Sequence, residues 1–270
     1  MPHKKEFLSL RKSAVLAFET TYEVYVSDNE VDQIFYILTK KFLNHINSFS
    51  VILNGTNFND IAENTSQIDH ASAKVILRAA FETYLTISHL FFNDSESTEF
   101  RILLYKHSGF KDRIEKLPRE WADSNTLKKI CNEEETLRQL EYSIYELGAK
   151  LGKDKTFIKN NLNKGWRSGK GWPKIGEESS LPTKYVKAVY SYLCGYSHSG
   201  YDSYMQLVSD EGLYFEDLER NQSMLYFKAA LLLAYFCQSY VAFTTAKSNV
   251  SFESLSDVGD FLLKYKNIYS

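Results

Sequence analysis

The sequence predicts an all-α fold, a multi-helix bundle of about eight helices. Apolar residues recur with a period near 3.6 along most of the chain, which is the spacing of one face of a helix. Only 4 prolines occur in 270 residues, and proline interrupts helices because it lacks a backbone N–H. No convincing pair of strands is present. These observations favour long helices that pack on one another.

The periodic segments and their flanking cap residues place the expected helices in chain order. They cover about residues 8–24, 30–53, 67–92, a segment capped by Ser95 or Ser97 that runs to about 117, 124–151, a short piece at 155–162, 183–194, 217–246 and 252–265. Asp28 or Asn29 is the expected cap of the second helix. A polar connection before residue 216 is expected to hold a small hairpin at 204–213.

No linker-like segment interrupts the chain, which favours one helical domain over residues 1–270. In this arrangement the helices of residues 1–60 pack on the rest. Helical periodicity is lost over one long stretch, an irregular loop around residues 163–182, in which residues 165–174 alone contain three glycines, at positions 165, 169 and 171. Loops of this length are usually functional or mobile.

Charge is distributed unevenly along the chain. The formal charge of −2 argues against a surface covered by nucleic acid, but residues 150–174 hold eight basic residues against one acid, a net charge of +7. Trp166 and Trp172 alternate there with Lys164, Arg167 and Lys170, a pattern that can hold backbone phosphates and stack bases. The alternative is a solvated lysine-rich helix, followed by a loop whose tryptophans pack on the bundle.

The cysteines and histidines predict a reduced protein without a metal. Cys131, Cys194 and Cys237 are far apart and odd in number, which suits a cytoplasmic location better than a disulfide framework. The histidines do not cluster with carboxylates, and no cofactor-binding motif is present, so we expect neither metal nor cofactor. The most apolar later stretch, residues 229–237, is too short to span a bilayer, so we expect no membrane contact.

The most informative segment is residues 74–92, KVILRAAFETYLTISHLFF, which is apolar around most of a helix and should therefore be buried. Yet Arg78, Glu82, Thr86 and His89 fall on one side of it, at i, i+4, i+8 and i+11. A buried charge is costly unless it is paired, so other polar groups should meet this stripe inside the fold. Arg78–Glu82 is either an internal ion pair that fixes packing, or Arg78 positions an anionic group such as phosphate.

A second polar constellation is YSYLCGYSHSG at residues 190–200. His198 lies just past the expected helix end, among hydroxyls and glycines, where a neutral imidazole can act as general base or acid. The alternative is a loop histidine that makes a helix-end or tyrosine hydrogen bond. A nucleophile elbow is excluded, because Ser199 stands where glycine is required and a helix precedes it instead of a strand.

Together, the Arg-x-x-x-Glu of LRAAFETYL, the tryptophan-containing loop and the Tyr-Ser-His-Ser end of the tyrosine-rich helix resemble an uncharacterised prokaryotic domain family. That family is a helical bundle similar to the HEPN superfamily, and the resemblance covers about residues 68–243. It implies an all-α, HEPN-like bundle, frequently a homodimer. It also implies an RNA- or nucleotide-related role, often in antiviral defence or toxin systems.

The HEPN ribonucleases use an Arg-x(4–6)-His motif, often with a polar residue after the arginine. Arg101 and His107 match it, although Ile102 departs from the polar preference, and no arginine lies four to six residues before His198. Three readings stay open: the pair is Arg101 with His107, it is assembled from Arg78 and His198, or there is no nuclease. Metal-independent RNA cleavage needs a base for the 2′-hydroxyl and a cation for the phosphorane charge, and histidine with arginine supplies both.

Our leading hypothesis from the sequence is an intracellular HEPN-like protein that acts on RNA as a metal-independent endoribonuclease. The assigned roles are His198 or His107 as base or acid, Arg78 or Arg101 as the cation, Glu82 to orient Arg78, Tyr190 to support the pocket, and Lys164, Arg167 and Lys170 to hold the RNA backbone. One alternative is a non-catalytic scaffold module whose basic loop docks an acidic protein partner or antitoxin. Another is a small-ligand pocket lined by tyrosines in the bundle core.

Overall fold

The structure is a computed structural model that describes residues 1–25, 29–93, 96–117, 119–211, 215–248, 250–252 and 255–269. Within these ranges the chain is helical, with one isolated β-bridge between Thr56 and Gln67. The α-helices are α1 Pro2–Thr20, α2 Tyr22–Tyr25, α3 Glu30–Leu53, α4 His70–Ile87, α5 Thr98–Lys116, α6 Ser124–Lys150, α7 Lys155–Lys164, α8 Trp172–Glu177, α9 Thr183–Ser197, α10 Tyr201–Glu211, α11 Phe215–Ser248 and α12 Ser256–Tyr265. A π-helix, Ser88–Phe92, continues α4. The predicted all-α fold is confirmed.

The chain divides into two compact units, while the single domain expected over residues 1–270 stays a prediction. Unit 1 comprises Met1–Phe92 and Gly176–Ser270, and unit 2 comprises Asn93–Ile175. Each unit buries its own cluster of apolar side chains, and no change in composition marks the points where the chain passes from one to the other. Composition and linker-like segments therefore do not predict this division.

The helix starts follow local capping chemistry. The Asn29 side chain accepts a hydrogen bond from the Val31 N–H at 2.9 Å, so α3 begins at Glu30 as predicted. Asp69 caps α4 in the same way, accepting from the Ser72 N–H at 2.8 Å. Such side chains satisfy N–H groups that have no partner within the helix. The alternative caps Asp28 and Ser95 lie outside the described residues.

Unit 1 is built around an aromatic core. Helix α4 packs between α3 and α9, and α11 packs along α1. The Phe35 ring stacks on Tyr240 with centroids 5.5 Å apart and lies 4.9 Å from both Phe91 and Phe243. Large rings in contact bury much apolar area per residue, which accounts for the many tyrosines and phenylalanines.

In the described part of unit 1, two helical stretches are long and apolar enough to cross a membrane. They are His70–Phe92 and Asp217–Ser248, and 67% and 56% of their most apolar windows are buried inside the fold. The second stretch includes residues 229–237, the nine-residue apolar segment noted in the sequence. It extends beyond that segment because further tyrosine, phenylalanine and alanine residues lie on both sides of it. Core helices of globular proteins meet the same criterion.

Unit 2 contains α5, α6 and α7 around a smaller core of Phe100, Leu104, Ile144, Ile158 and Leu162. At Gly148 of α6 the two helices are close, since a Cβ there would lie 2.6 Å from Ile158 Cδ1 and would require that side chain to shift. The glycine thus allows α7 to approach α6 closely.

Two local predictions are wrong. The irregular loop predicted around 163–182 is shorter, because α7 extends to Lys164 and α8 occupies Trp172–Glu177. The hairpin predicted at 204–213 is the helix α10 as far as Glu211, and residues 212 and 213 lie outside the described chain. The Ser203 and Tyr204 N–H groups both donate to the Gly200 carbonyl, which begins a helix at the place where we expected a strand.

Candidate active site

The polar stripe of α4 faces α9 inside unit 1. Lys74 contacts Tyr196, Arg78 contacts His198 and Tyr190, and Glu82 contacts Tyr190. Residue numbers rise along α4 while their partners fall along α9, so the two helices run antiparallel. The expectation that polar groups would meet this stripe is met by side chains of α9.

Glu82 holds the guanidinium of Arg78 by one edge. Its Oε1 accepts a hydrogen bond from Arg78 Nε at 2.9 Å and a second from the Tyr190 hydroxyl at 2.9 Å. Arg78 Nη2 lies 3.5 Å from the same hydroxyl, and the guanidinium lies 5.6 Å from the centre of the Tyr190 ring. These contacts fix the Nε edge and leave the Nη end to face outward.

His198 lies at that outward end, with its Nε2 atom 3.3 Å from Arg78 Nη1. A guanidinium has no acceptor, so in this contact Nε2 accepts and carries no hydrogen. The Arg78 side chain is 17% exposed and that of Glu82 27%, and His198 is exposed. Solvent, and a ligand of matching charge, can therefore reach the Arg78–His198 pair.

His198 is positioned by a Schellman motif at the end of α9. The Gly200 N–H donates to the Gly195 carbonyl at 3.0 Å and the Ser199 N–H to the Tyr196 carbonyl at 3.4 Å, the bonding pattern of that motif. Ser199 takes the left-handed conformation that it requires, with φ at 49°. The chain therefore turns directly after His198, which sits at the C-cap.

The pKa shifts of the site favour a charged arginine and a neutral tyrosine. Burial lowers the pKa of Arg78, but the hydrogen bond to Tyr190 and the charge of Glu82 outweigh it, and the net shift is upward. Burial raises the pKa of Tyr190; the hydrogen bond from Arg78 lowers it, but those with Cys194 and Glu82 raise it, and the net shift is upward. Tyr190 is therefore a hydrogen-bond donor to Glu82 at neutral pH.

A family of unknown function, DUF5677, matches residues 32–214. The chain belongs to the DUF5677 family. The matched region contains Arg78, Glu82, Tyr190 and His198, so the whole site lies inside it. No curated protein and no solved structure matched the chain.

The description of DUF5677 names no activity. The HEPN likeness, the RNA-related role, the homodimer, the protein partner and the cytoplasmic location therefore stay predictions. In the ranges that the structure covers, no group of three or more histidine, cysteine or acidic side chains could hold a metal ion.

The other predicted pair, Arg101 and His107, lies in unit 2 of this DUF5677 protein and is buried. His107 is 2% exposed at its side chain, and its Nε2 atom lies 3.2 Å from Glu141 Oε1. Arg101 is 3% exposed and its Nη2 donates to the Thr98 hydroxyl at 3.4 Å. A general base must reach the proton that it removes, so the depth of His107 disfavours it against the exposed His198.

The remaining members of the α4 stripe are Thr86 and His89. Thr86 donates to the Glu82 carbonyl at 2.8 Å, one turn before it. His89 is buried in the π-helix Ser88–Phe92. The stripe thus divides into a half that faces the candidate site and a half that is enclosed in the core.

The tryptophans of the basic segment pack on their own unit. Trp166 packs against the core of unit 2, with its ring centroid 5.3 Å from that of Tyr105 and 6.0 Å from that of Trp172. The Arg167 guanidinium lies 4.8 Å from the centre of the Trp172 ring. Lys164 is exposed, and Lys170 is half-buried. The ring faces nominated for base stacking are thus largely engaged with their neighbours.

An open groove of about 900 Å³ lies between α6 and α7 and is a better candidate for a nucleic-acid surface in unit 2. Tyr142 and Tyr145 of α6 line it opposite Lys155 and Lys159 of α7. Tyr142 is 66% exposed, and its hydroxyl donates to Glu146 at 2.9 Å, which holds the ring in place. We did not select these residues from the sequence, although Lys155 and Lys159 have the i, i+4 spacing of one helix face.

Sequence reasoning also missed Lys74 and Cys194. Lys74 precedes Arg78 by four residues, and Cys194 follows Tyr190 and precedes His198 by four. Extending each stripe by one helical turn would have found both.

Proposed function

We propose that this DUF5677 protein cleaves RNA without a metal ion, with Arg78 and His198 as its catalytic pair. The observation that carries the proposal is the 3.3 Å contact between Arg78 Nη1 and His198 Nε2 on a face that solvent reaches. The anchoring of Arg78 by Glu82 and Tyr190 supports it, because a preorganised cation stabilises charge that develops in a transition state. The resemblance to the HEPN ribonucleases points to the same chemistry.

The Arg78 guanidinium has N–H groups that remain available to bind a phosphate. Its guanidinium carries five N–H groups, and three serve Glu82, Tyr190 and His198. A phosphate oxygen that takes the place of the imidazole would meet two further N–H groups on the same Nη end. A pair with a purely structural role would need only the Nε edge.

The cleavage step assigns one atom to each task. His198 Nε2 takes the proton of the ribose 2′-hydroxyl, and the 2′-oxygen attacks the adjacent phosphorus. Arg78 stabilises the negative charge of the phosphorane. The bond from phosphorus to the 5′-oxygen breaks, that oxygen takes a proton from solvent, and the His198 imidazolium returns its proton to solvent. The products are a 2′,3′-cyclic phosphate and a 5′-hydroxyl end.

We assign the binding of the RNA backbone to unit 2. Its basic segment carries a net charge of +7 over residues 150–174, and Lys155 and Lys159 line the groove beside Tyr142. Lys164, Arg167 and Lys170 of the same segment add positive charge outside the groove. Cations and exposed aromatic rings together suit single-stranded nucleic acid.

The test is cleavage of labelled single-stranded RNA by the full chain in excess chelator. We expect product with a 2′,3′-cyclic phosphate end, and none from DNA or from RNA methylated at the 2′-oxygen. His198→Ala and Arg78→Gln should each lower the rate at least 100-fold. The matched control is His45→Ala, which removes a half-buried histidine of α3 and should leave the rate unchanged.

Two outcomes contradict the proposal. Loss of cleavage in His107→Ala but not in His198→Ala would move the reaction to unit 2. Intact RNA with the folded wild type would favour the scaffold alternative, in which Arg78–Glu82 is an ordinary ion pair.

A further inference from the structure

Helix α10, which follows directly after the candidate site, presents apolar side chains to solvent. Tyr201, Tyr204, Met205 and Val208 are spaced i, i+3, i+4 and i+7, so they lie on one face of the helix. Their exposed fractions are 73%, 58%, 54% and 54%. A continuous exposed apolar patch of this kind usually marks a surface that binds a partner.

The opposite face of α10 is polar and is turned toward the protein. Ser203 is 5% exposed, and its hydroxyl donates to the Gly200 carbonyl at 2.7 Å. The Gln206 side chain accepts a hydrogen bond from the Tyr196 hydroxyl of α9. This orientation is the reverse of that of an ordinary surface helix, whose apolar stripe faces the core. The outward stripe thus contributes nothing to the packing that the structure describes, and it is available to a partner.

Tyr201 and Tyr204 form a pair of exposed rings at one end of this stripe. Their centroids lie 5.7 Å apart and their planes are inclined by 33°. In the part of the chain that the structure describes, neither ring contacts another aromatic ring, and neither hydroxyl has a hydrogen-bond partner. A pair of rings with largely open faces provides a surface on which planar groups can stack.

The ring pair lies close to the proposed general base. Tyr201 follows His198 by three residues, across the Schellman motif that ends α9, so their Cα atoms cannot be more than about 11 Å apart. Tyr204 lies one helical turn further along α10. A strand whose phosphate is bound at Arg78 and His198 can therefore place a neighbouring base on these rings.

We infer that Tyr201 and Tyr204 form a stacking platform for the bases that flank the scissile phosphate of single-stranded RNA. This inference rests on the proposed function, because it names the part of the substrate that α10 binds. Helix α10, Tyr201–Glu211, contains acidic residues but no lysine or arginine, so it offers no cation to a phosphate and suits the uncharged face of a base. The rings occupy the end of the stripe nearest to His198, which favours a nucleobase over a protein partner.

The experiment measures cleavage of strands that contain one cleavable phosphate. A 2′-O-methylated RNA with a single unmodified ribose is cut only beside that ribose, since the proposed reaction needs a free 2′-hydroxyl. Two further strands each lack the base on one side of the cleavable phosphate. We expect the full chain to cut at least one of these abasic strands at least about fivefold more slowly at limiting strand concentration, which is the effect of losing one stacked base.

Combining the strands with variants links the effect to α10. Tyr201→Ala and Tyr204→Ala should each cut the intact strand at least about fivefold more slowly. Removal of the base should slow at least one of these variants much less than it slows the wild type, because a contact that is already absent cannot be lost again. Tyr201→Phe keeps the ring and should cut as the wild type does.

The matched control is Phe58→Ala, which removes a ring of unit 1 that is 54% exposed and lies outside α10. This variant should cut all three strands at the rates of the wild type. Because Tyr201, Tyr204 and Phe58 are exposed, their variants should keep the fold, and circular dichroism checks that they do.

Three outcomes overturn the inference. The first is equal cleavage of the three strands by the wild type, and the second is an equal effect of base removal in the wild type and in both tyrosine variants. The third is a wild-type dimer in light scattering that Tyr201→Ala and Val208→Asp convert to a monomer while base removal has no effect on cleavage. In that case a second copy of the chain covers the stripe, and RNA does not.

Failure of the proposed function gives a different result. A wild type that cuts no strand, but binds a fully methylated strand more tightly than Tyr201→Ala does in fluorescence anisotropy, contradicts the cleavage alone. Cleavage that neither tyrosine variant slows contradicts the stacking platform alone. Absence of both cleavage and binding contradicts the two proposals together.

Discussion

The Tyr190 hydroxyl donates to Glu82 Oε1 at 2.9 Å, and the same oxygen accepts from Arg78 Nε. Helix α9 therefore helps to hold the arginine of α4 through a shared carboxylate oxygen. Without Tyr190, that carboxylate would keep one ligand and gain rotational freedom. The orientation of Arg78 thus depends on a residue 112 positions away in the chain.

Tyr190→Phe tests this arrangement. The residue is 8% exposed, and loss of a hydrogen bond that leaves an acceptor without one partner typically costs about 1 kcal/mol. We expect the free energy of unfolding to fall by about that amount in urea titrations followed by circular dichroism. Glu82→Gln should cost less, because its amide oxygen still accepts from both donors.

Tyr142→Phe is the matched control, since it removes an exposed hydroxyl that also donates to a glutamate at 2.9 Å. Its cost should stay below about 0.5 kcal/mol. Equal losses in the two variants would contradict a special role for the Tyr190 hydroxyl. In a double-mutant cycle, Tyr190→Phe and Glu82→Ala should be coupled by about 0.5 kcal/mol or more.

The sequence identified the members of this site but not how they meet. The spacing of Arg78 and Glu82 places them on one helix face, and the apolar surroundings demand polar partners, so both could be predicted from local rules. That Tyr190 and His198 are the partners depends on the antiparallel packing of α4 and α9, which joins residues more than 100 positions apart. Periodicity contains no information about such pairings.

The errors have a common physical cause. Residues 204–208, YMQLV, mix apolar and polar side chains in an order that suits a strand as well as a helix. The hydrogen bonds that the Gly200 carbonyl accepts from Ser203 and Tyr204 favour the helix α10. The loop predicted around 163–182 is interrupted by α8 at Trp172–Glu177, and Trp166 packs against the core of unit 2. In both places tertiary or neighbouring backbone contacts override the local pattern.

Ser199→Gly is expected to stabilise the protein. Ser199 holds a φ of 49° at the end of α9, a conformation that costs an ordinary residue about 1 kcal/mol and glycine much less. Part of the gain is offset by the greater freedom of glycine in the unfolded chain. We expect a net gain of up to about 1 kcal/mol and a higher Tm in thermal unfolding.

The same substitution separates stability from activity. It leaves the backbone bonds that position His198 in place, so cleavage of RNA should change little. Ser199→Val serves as the opposite variant, because a β-branched residue is strongly disfavoured at positive φ, and its Tm should fall. A lower Tm for Ser199→Gly would contradict the Schellman assignment.

Stability near the junction of α1 and α12 should depend on pH through Glu6. Burial raises the pKa of Glu6, but hydrogen bonds from Lys264, His3 and Tyr265 outweigh it, and the net pKa is lower than 4.5. A carboxyl with a lowered folded-state pKa stabilises the fold above its unfolded pKa, and this contribution is lost as the pH falls through the folded-state value. Because Glu6 is only partly buried and the side chain of its partner Lys264 is 61% exposed, the contribution should stay below about 1 kcal/mol.

The measurement is the difference in unfolding free energy between wild type and Glu6→Gln from pH 7 down to pH 3. We expect the wild type to be the more stable at pH 7 and its advantage to shrink below about pH 4.5. A difference that grows with acidity has the wrong sign and would rule out the ion pair with Lys264 as its source.

The groove between α6 and α7 makes a quantitative prediction about salt. If Lys155 and Lys159 each contact one phosphate of single-stranded RNA, each releases counterions and contributes about 0.7 to the slope of log Kd against log salt. Lys155→Gln combined with Lys159→Gln should therefore lower that slope by roughly 1.4. Fluorescence anisotropy between 50 and about 200 mM salt measures it, with His198→Ala as the background so that the RNA stays intact.

Lys128→Gln, which removes an exposed lysine of α6 outside the groove, should leave the slope unchanged. Tyr142→Ala should weaken binding at every salt concentration without altering the slope, because a stacked base displaces no counterion. If Lys128→Gln lowers the slope per lysine as much as Lys155→Gln and Lys159→Gln do, the RNA is attracted by the general positive charge of the surface and does not bind in this groove.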